Sequence, residues 1–90
     1  MSFLVNWLPD AEQELADIWL NAPDRAAVTQ ASHQIDRRLK TDPDNEGEAR
    51  SDGRRLLIVF PLAIIFRVIA DDRRVDVIHV WRFSPPPSTP

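Results

Sequence analysis

The sequence predicts an α+β fold in two layers: an N-terminal strand, a two-helix hairpin and a three-stranded antiparallel meander. Three observations point there. Between Arg54 and Arg82 stand three short β-branched and aromatic runs, Arg54 to Phe60, Leu62 to Ile69 and Arg74 to Arg82, split only by Pro61 and by Asp71-Asp72-Arg73. Two stretches of helical periodicity precede them. A polar segment holding both glycines of the chain, Gly47 and Gly53, separates helices from strands. Helices gathered before a mostly antiparallel sheet make an α+β arrangement in which one sheet face packs on the helical pair.

The first element is Phe3-Leu-Val-Asn-Trp7, a strand with Phe3, Val5 and Trp7 on one face. It is too short to stand alone and must join the later sheet, crossing two helices to do so, which suits a parallel pairing. Pro9 fits a first helical position, and Asp10, Glu12 and Glu14 suit the positive end of a helix dipole. With Ala11, Leu15, Ile18 and Trp19 at helical spacing, a helix from Pro9 to Leu20 follows. Ala22-Pro23 ends it, and Asp24 is placed to cap a second helix whose apolar stripe is Ala27, Val28, Ala31, Ile35 and Leu39. That helix stops at Thr41-Asp42-Pro43, and the segment to Gly53 reads as a loop carrying Arg50.

In the middle strand, alternation sets Leu62, Ile64, Phe66 and Val68 against Ala63, Ile65, Arg67 and Ile69, and Arg67 marks the wetter side. The last strand places Asp76 and His79 on opposite faces unless a bulge intervenes. Residues 1–83 form one domain with enough apolar content for a single small core, and the Pro-rich stretch 84–90 reads as an extended tail.

Net charge is −3, with the two halves unlike. Residues 1 to 48 hold ten acids against four bases, whereas residues 49 to 90 hold seven bases against four acids, and ten of the eleven bases are arginine. The sheet half therefore either faces an anion or uses strand-end arginines to blunt its edges. With no cysteine, and with His33 and His79 far apart, neither a thiolate nor a ligand-spaced metal site is expected, and no cofactor is. No window reaches the ~18 apolar residues of a membrane span and no leader is evident, so the expected place is the cytoplasm.

An ordered set of short matches resembles one family. A strand ending in Trp7, Pro9-Asp-Ala-Glu-Gln-Glu-Leu15, Ile35-Asp36 with Leu39, Asp42-Pro43, Gly47-Glu48, Gly53-Arg54-Arg55, Pro61-Leu62, Phe66-Arg67-Val68, Asp71 to Val75 and Val80-Trp81-Arg82 together look like a RelE/ParE-type toxin of a type II toxin–antitoxin module, also termed plasmid stabilisation proteins. The resemblance spans residues 3 to 83. It implies a two-layer RelE/ParE-like fold and a growth-inhibiting toxin neutralised by a cognate antitoxin, with a homodimer left open. RelE-like members cleave messenger RNA on the ribosome, and ParE-like members poison DNA gyrase.

Cleavage by a 2′-hydroxyl needs a base, an acid and cations on the phosphate. Ribonuclease members supply an arginine near the start of the middle strand, basic loop residues, and a His, Arg or Tyr near the carboxy terminus. Here that strand opens Leu62-Ala63, the chain has no tyrosine, and Lys40 is its one lysine. The resemblance and the residue types together make Arg67, His79 and Arg82 the catalytic candidates and Arg50, Arg54 and Arg55 the target- or RNA-binding ones. Only His79 among them is of a type that titrates near neutral pH. In a run as apolar as Val77 to Trp81 it reads more readily as a hydrogen-bonded, half-buried packing group than as a catalyst. Arg82 is the better functional candidate, though a strand-end arginine paired with Asp76 looks the same in sequence. The expected function is therefore a ParE-like toxin, with a degenerate RelE-like ribonuclease or a non-catalytic antitoxin-binding module as alternatives.

Overall fold

The computed structural model describes residues 2–83; the Pro-rich stretch 84–90 lies outside the described residues. Strand β1 (Leu4–Trp7) leads into helix α1 (Pro9–Asn21) and helix α2 (Arg25–Thr41), followed by β2 (Glu48–Ala49), β3 (Arg54–Val59), β4 (Leu62–Ile69) and β5 (Arg74–Arg82). The five strands lie in the order β1-β5-β4-β3-β2, with β1 parallel to β5 and every other pair antiparallel. The α+β reading, the hairpin, the meander and the parallel first strand therefore hold.

Helix α1 starts on Pro9 with Asp10 and Glu12 in its first turn and runs one residue past the expected Leu20. Helix α2 buries Val28, Ala31, Ile35 and Leu39, which join Ala11 of α1 and Leu57, Val59, Leu62, Ile64, Phe66, Val75, Val77 and Val80 of the sheet in one core. Helix α1 lies over β5, and α2 over β3 and β4. Phe3, Val5 and Trp7 pack against the same core from β1. Trp7 is tied to α2 by its indole N–H, which donates to Asp36 Oδ1 at 2.8 Å.

Three expectations are corrected. Trp19 is not on the packed side of α1: it is 40% exposed, with Arg25 stacked 4.6 Å from its ring centre. Asp24 occupies the N-cap position of α2, but its side chain makes no capping bond and is drawn away to Arg82; only its backbone carbonyl accepts from Val28 N–H, at 3.2 Å. The segment 42–53 is not all loop. It holds a 3₁₀ turn at Pro43–Asn45, the two-residue edge strand β2, and a second turn at Ser51–Gly53.

The bulge that would reconcile the last strand is present. Ile65 lies opposite His79 and Phe66 opposite Val77, so Ile78 is the extra residue. Asp76 faces Arg67 and His79 faces Ile65, which puts both on the sheet side away from the helices.

Candidate functional site

The face not covered by helices is laid out by the strand registers. One row runs Arg54, Arg67, Asp76, Asn6 across β3, β4, β5 and β1; the next holds Leu56, Ile65 and His79; the third holds Ile58, Ala63 and Trp81. Phe60, beyond the third row, is 62% exposed and meets Phe83 edge to face at 6.2 Å. The uncovered face is thus charged at one end and apolar at the other.

In the first row, Asp76 accepts Arg74 Nε–H at 2.9 Å and Asn6 Nδ2–H at 3.2 Å. The Arg74 hydrogen bonds, against some desolvation and with help from Asn6 and the Arg67 charge, hold the Asp76 carboxyl below the usual carboxylate range. The same hydrogen bond pushes the Arg74 guanidinium up. Arg67 Nη2 donates to the Asp52 carbonyl at 2.8 Å, while its Nε is buried with no acceptor among the described residues. That carbonyl is offered by a turn in which Asp52 takes a left-handed φ of 62°. Arg54 is exposed and makes no side-chain hydrogen bond or ion pair among the described residues.

His79 is exposed rather than half-buried. Its Nδ1 lies 3.4 Å from Glu14 Oε1, the same oxygen that accepts Val80 N–H at 3.2 Å. Because β1 pairs only as far as Val77, the β5 edge beyond it would be bare, and α1 covers it with this carboxylate.

Two of the candidate arginines lie elsewhere. Arg82 faces Leu62 on the helix side, and its partner is Asp24, not Asp76. Nη2 donates to Oδ2 at 2.9 Å; Nη1 also lies 2.9 Å from Oδ1, but off the hydrogen-bond line, so that contact is ionic only. Arg55 faces Phe66 on the same side and folds onto the carbonyls of Glu46 at 2.8 Å and Gly47 at 3.3 Å. Arg50 sits on the exposed loop beside Glu48, 3.3 Å away. The structure therefore gathers Arg54, Arg67 and His79 on one face and separates Arg55 and Arg82 from them.

The Arg82 hydrogen bond holds the Asp24 carboxyl below its ordinary range. A folded-state value lowered in this way stabilises the fold at neutral pH, and the effect fades as falling pH protonates the carboxylate in both states. Arg82→Ala is therefore expected to lower the urea midpoint at pH 7, with the gap from the parent chain closing below about pH 4. Midpoints measured from pH 7 to pH 2 check this.

Among the described residues no group of three or more His, Cys, Asp or Glu is arranged to hold a metal ion, and no helix is long and apolar enough to cross a membrane. A groove of about 530 Å³ between the two helices, lined by Trp7, Leu15, Trp19, Leu20 and Val28, carries none of the candidate residues.

Superposition on solved structures places this architecture. A chain of the toxin–antitoxin complex RelBE2 from Mycobacterium tuberculosis matches 94% of this chain and 95% of its own length at a TM-score of 0.76 and 15% identity. A chain of the chromosomal ParDE TA system from P. aeruginosa matches 91% and 97% at 0.71 and 21% identity. This chain has the RelE/ParE toxin fold. A mutant of the E. coli toxin RelE in its free state matches over 91% of this chain and 84% of its own, at 0.62 and 15% identity. No family model matches the sequence, and no curated protein does.

On this RelE/ParE scaffold, the start of the middle strand is occupied by Leu62 and Ala63, both fully buried, Leu62 on the helix side and Ala63 between Ile58 and Trp81 of the flanking strands. The sequence reading missed that apolar end of the face. Leu56 to Phe60 is apolar without a break, so no alternation distinguishes exposed Ile58 from buried Leu57 and Val59. It also missed Asp24 and Glu14 as partners of Arg82 and His79, because those contacts bridge 58 and 65 positions of sequence.

Proposed function

We propose that this chain is the toxin of a toxin–antitoxin pair, neutralised by a cognate antitoxin, and that it acts in the ParE-like manner, by binding its target and not by cutting RNA. The observation that carries this reading is the start of β4, where the family resemblance puts a ribonuclease's arginine and this chain has Leu62 and Ala63, both fully buried, Ala63 between Ile58 and Trp81. A phosphorane oxyanion built there would meet aliphatic and indole surface with no cation to stabilise it. Arg82, the next candidate for that charge, is engaged by Asp24 on the other side of the sheet. DNA gyrase is the target class that a ParE-like toxin implies.

One observation favours a second reading. His79 is exposed on the face that carries Arg54 and Arg67, so a RelE-like ribonuclease would use it as acid or base with those arginines on phosphate.

Induced expression in a bacterial host tests the shared part of both readings. Growth should stop within a few generations and resume when the small neighbouring gene is co-expressed. Unchanged growth at high expression contradicts a toxin and leaves a bare binding module.

A further inference from the structure

Arg54 and Arg67 stand directly opposite each other on adjacent antiparallel strands, an arrangement in which like charges repel. The nearby Asp76 offsets part of the Arg67 charge but gives neither arginine a hydrogen bond, because its carboxylate oxygens are taken by Arg74 and Asn6. Arg74 also reaches Asp72 at 3.1 Å. With Asp72 and Asp76 both paired to Arg74, neither Arg54 nor Arg67 has an ion-pair partner among the described residues. Arg54 has no acceptor among the described residues, and Arg67 spends Nη2 on the Asp52 carbonyl.

Four residues along β4 from Arg67, a distance of about 13 Å at ~3.3 Å per residue, lies Ala63 under Ile58 and Trp81, which are 43% and 40% exposed. Exposed apolar surface grouped in this way marks a contact area. We propose that Arg54 and Arg67 form a carboxylate site for one acidic side chain of an amphipathic helix in a partner protein, whose following apolar turns rest on Ile58, Trp81 and Phe60.

The spacing suits a helix. At 1.5 Å per residue, an acid at position i and apolar residues at i+4 and i+8 cover about 12 Å along one face. A protein suits the charge better than RNA does. Two adjacent guanidiniums without ion-pair partners suit a single carboxylate, whereas Asp52 beside them and the chain's net −3 disfavour a polyanion. The inference rests on the toxin reading only in taking the partner to be the neutralising protein.

The test is an NMR titration of the ¹⁵N-labelled full chain with a 16-residue alanine-based helical peptide bearing Glu, Leu and Leu at i, i+4 and i+8. A second peptide carries Gln for Glu, and a 12-nucleotide single-stranded RNA is the third probe. The Glu peptide should shift the Arg54 Nε–H and Trp81 indole signals together and bind about tenfold more tightly than the Gln peptide. Arg54→Gln, an exposed change that spares the fold, should erase that difference. Equal binding of the two peptides, no binding of either, or Arg54-dependent binding of the RNA alone would overturn the site. Growth arrest without a Glu preference sinks this site and spares the toxin reading; a Glu preference in a chain that arrests nothing does the reverse.

Discussion

Phe66→Ala is expected to cost about 3–5 kcal/mol of folding stability, the range for removing a large aromatic side chain from a packed core. Phe66 is fully buried on β4, the central strand of the sheet, flanked by Arg55 and Val77 in the register and facing the helical layer with Ile64. It also sits beside the bulge at Ile78, where the ladder is already irregular, so neighbouring strands have little freedom to close the cavity. A 90-residue domain has roughly 5–15 kcal/mol in total, so the variant should be near the edge of unfolding. Urea titrations followed by circular dichroism and tryptophan fluorescence measure it. A loss under about 1 kcal/mol would mean that the helical layer does not pack on this face of the sheet.

Gly47→Ala should be the next most damaging single change and Gly53→Ala much milder, although both glycines have positive φ, 68° and 73°. Any L side chain in that region costs about 1–2 kcal/mol. At Gly47 an added Cβ would also run into the Leu56 carbonyl and the backbone of Leu57, whereas at Gly53 it would meet nothing within 4 Å. The Gly47 variant must therefore move the 46–53 segment off β3, breaking the pairing of Glu48 with Leu56 and the hold of Arg55 on the Glu46 and Gly47 carbonyls. The same titrations, run on both variants, check the ordering. Equal losses at the two positions would show that β2 is not seated on β3.

The meander was legible because each strand is short, β-branched and bounded by turn chemistry, and the bulge because Asp76 and His79 could not otherwise share the wet side. The strand β2 was not: Glu48 and Ala49 are two residues of weak β preference between glycines, and they pair only because Gly47 lets the backbone approach Leu56. Arg67 was correctly put on the uncovered side from alternation alone. Arg55 and Arg82 lie on the helix side by the same period-2 logic, since they face Phe66 and Leu62, but their partners come from the 46–47 loop and from Asp24 at the hairpin bend. Composition told of an arginine-rich half; only the register tells which of those arginines stand together.

On the proposed reading, the chain disables its target without hydrolysing RNA. The most direct measurement sets purified protein against two substrates, relaxed plasmid with DNA gyrase and messenger RNA on translating ribosomes. Loss of supercoiling with intact messenger is the predicted result. Cuts in ribosome-bound messenger that vanish in His79→Ala, with supercoiling untouched, would contradict it.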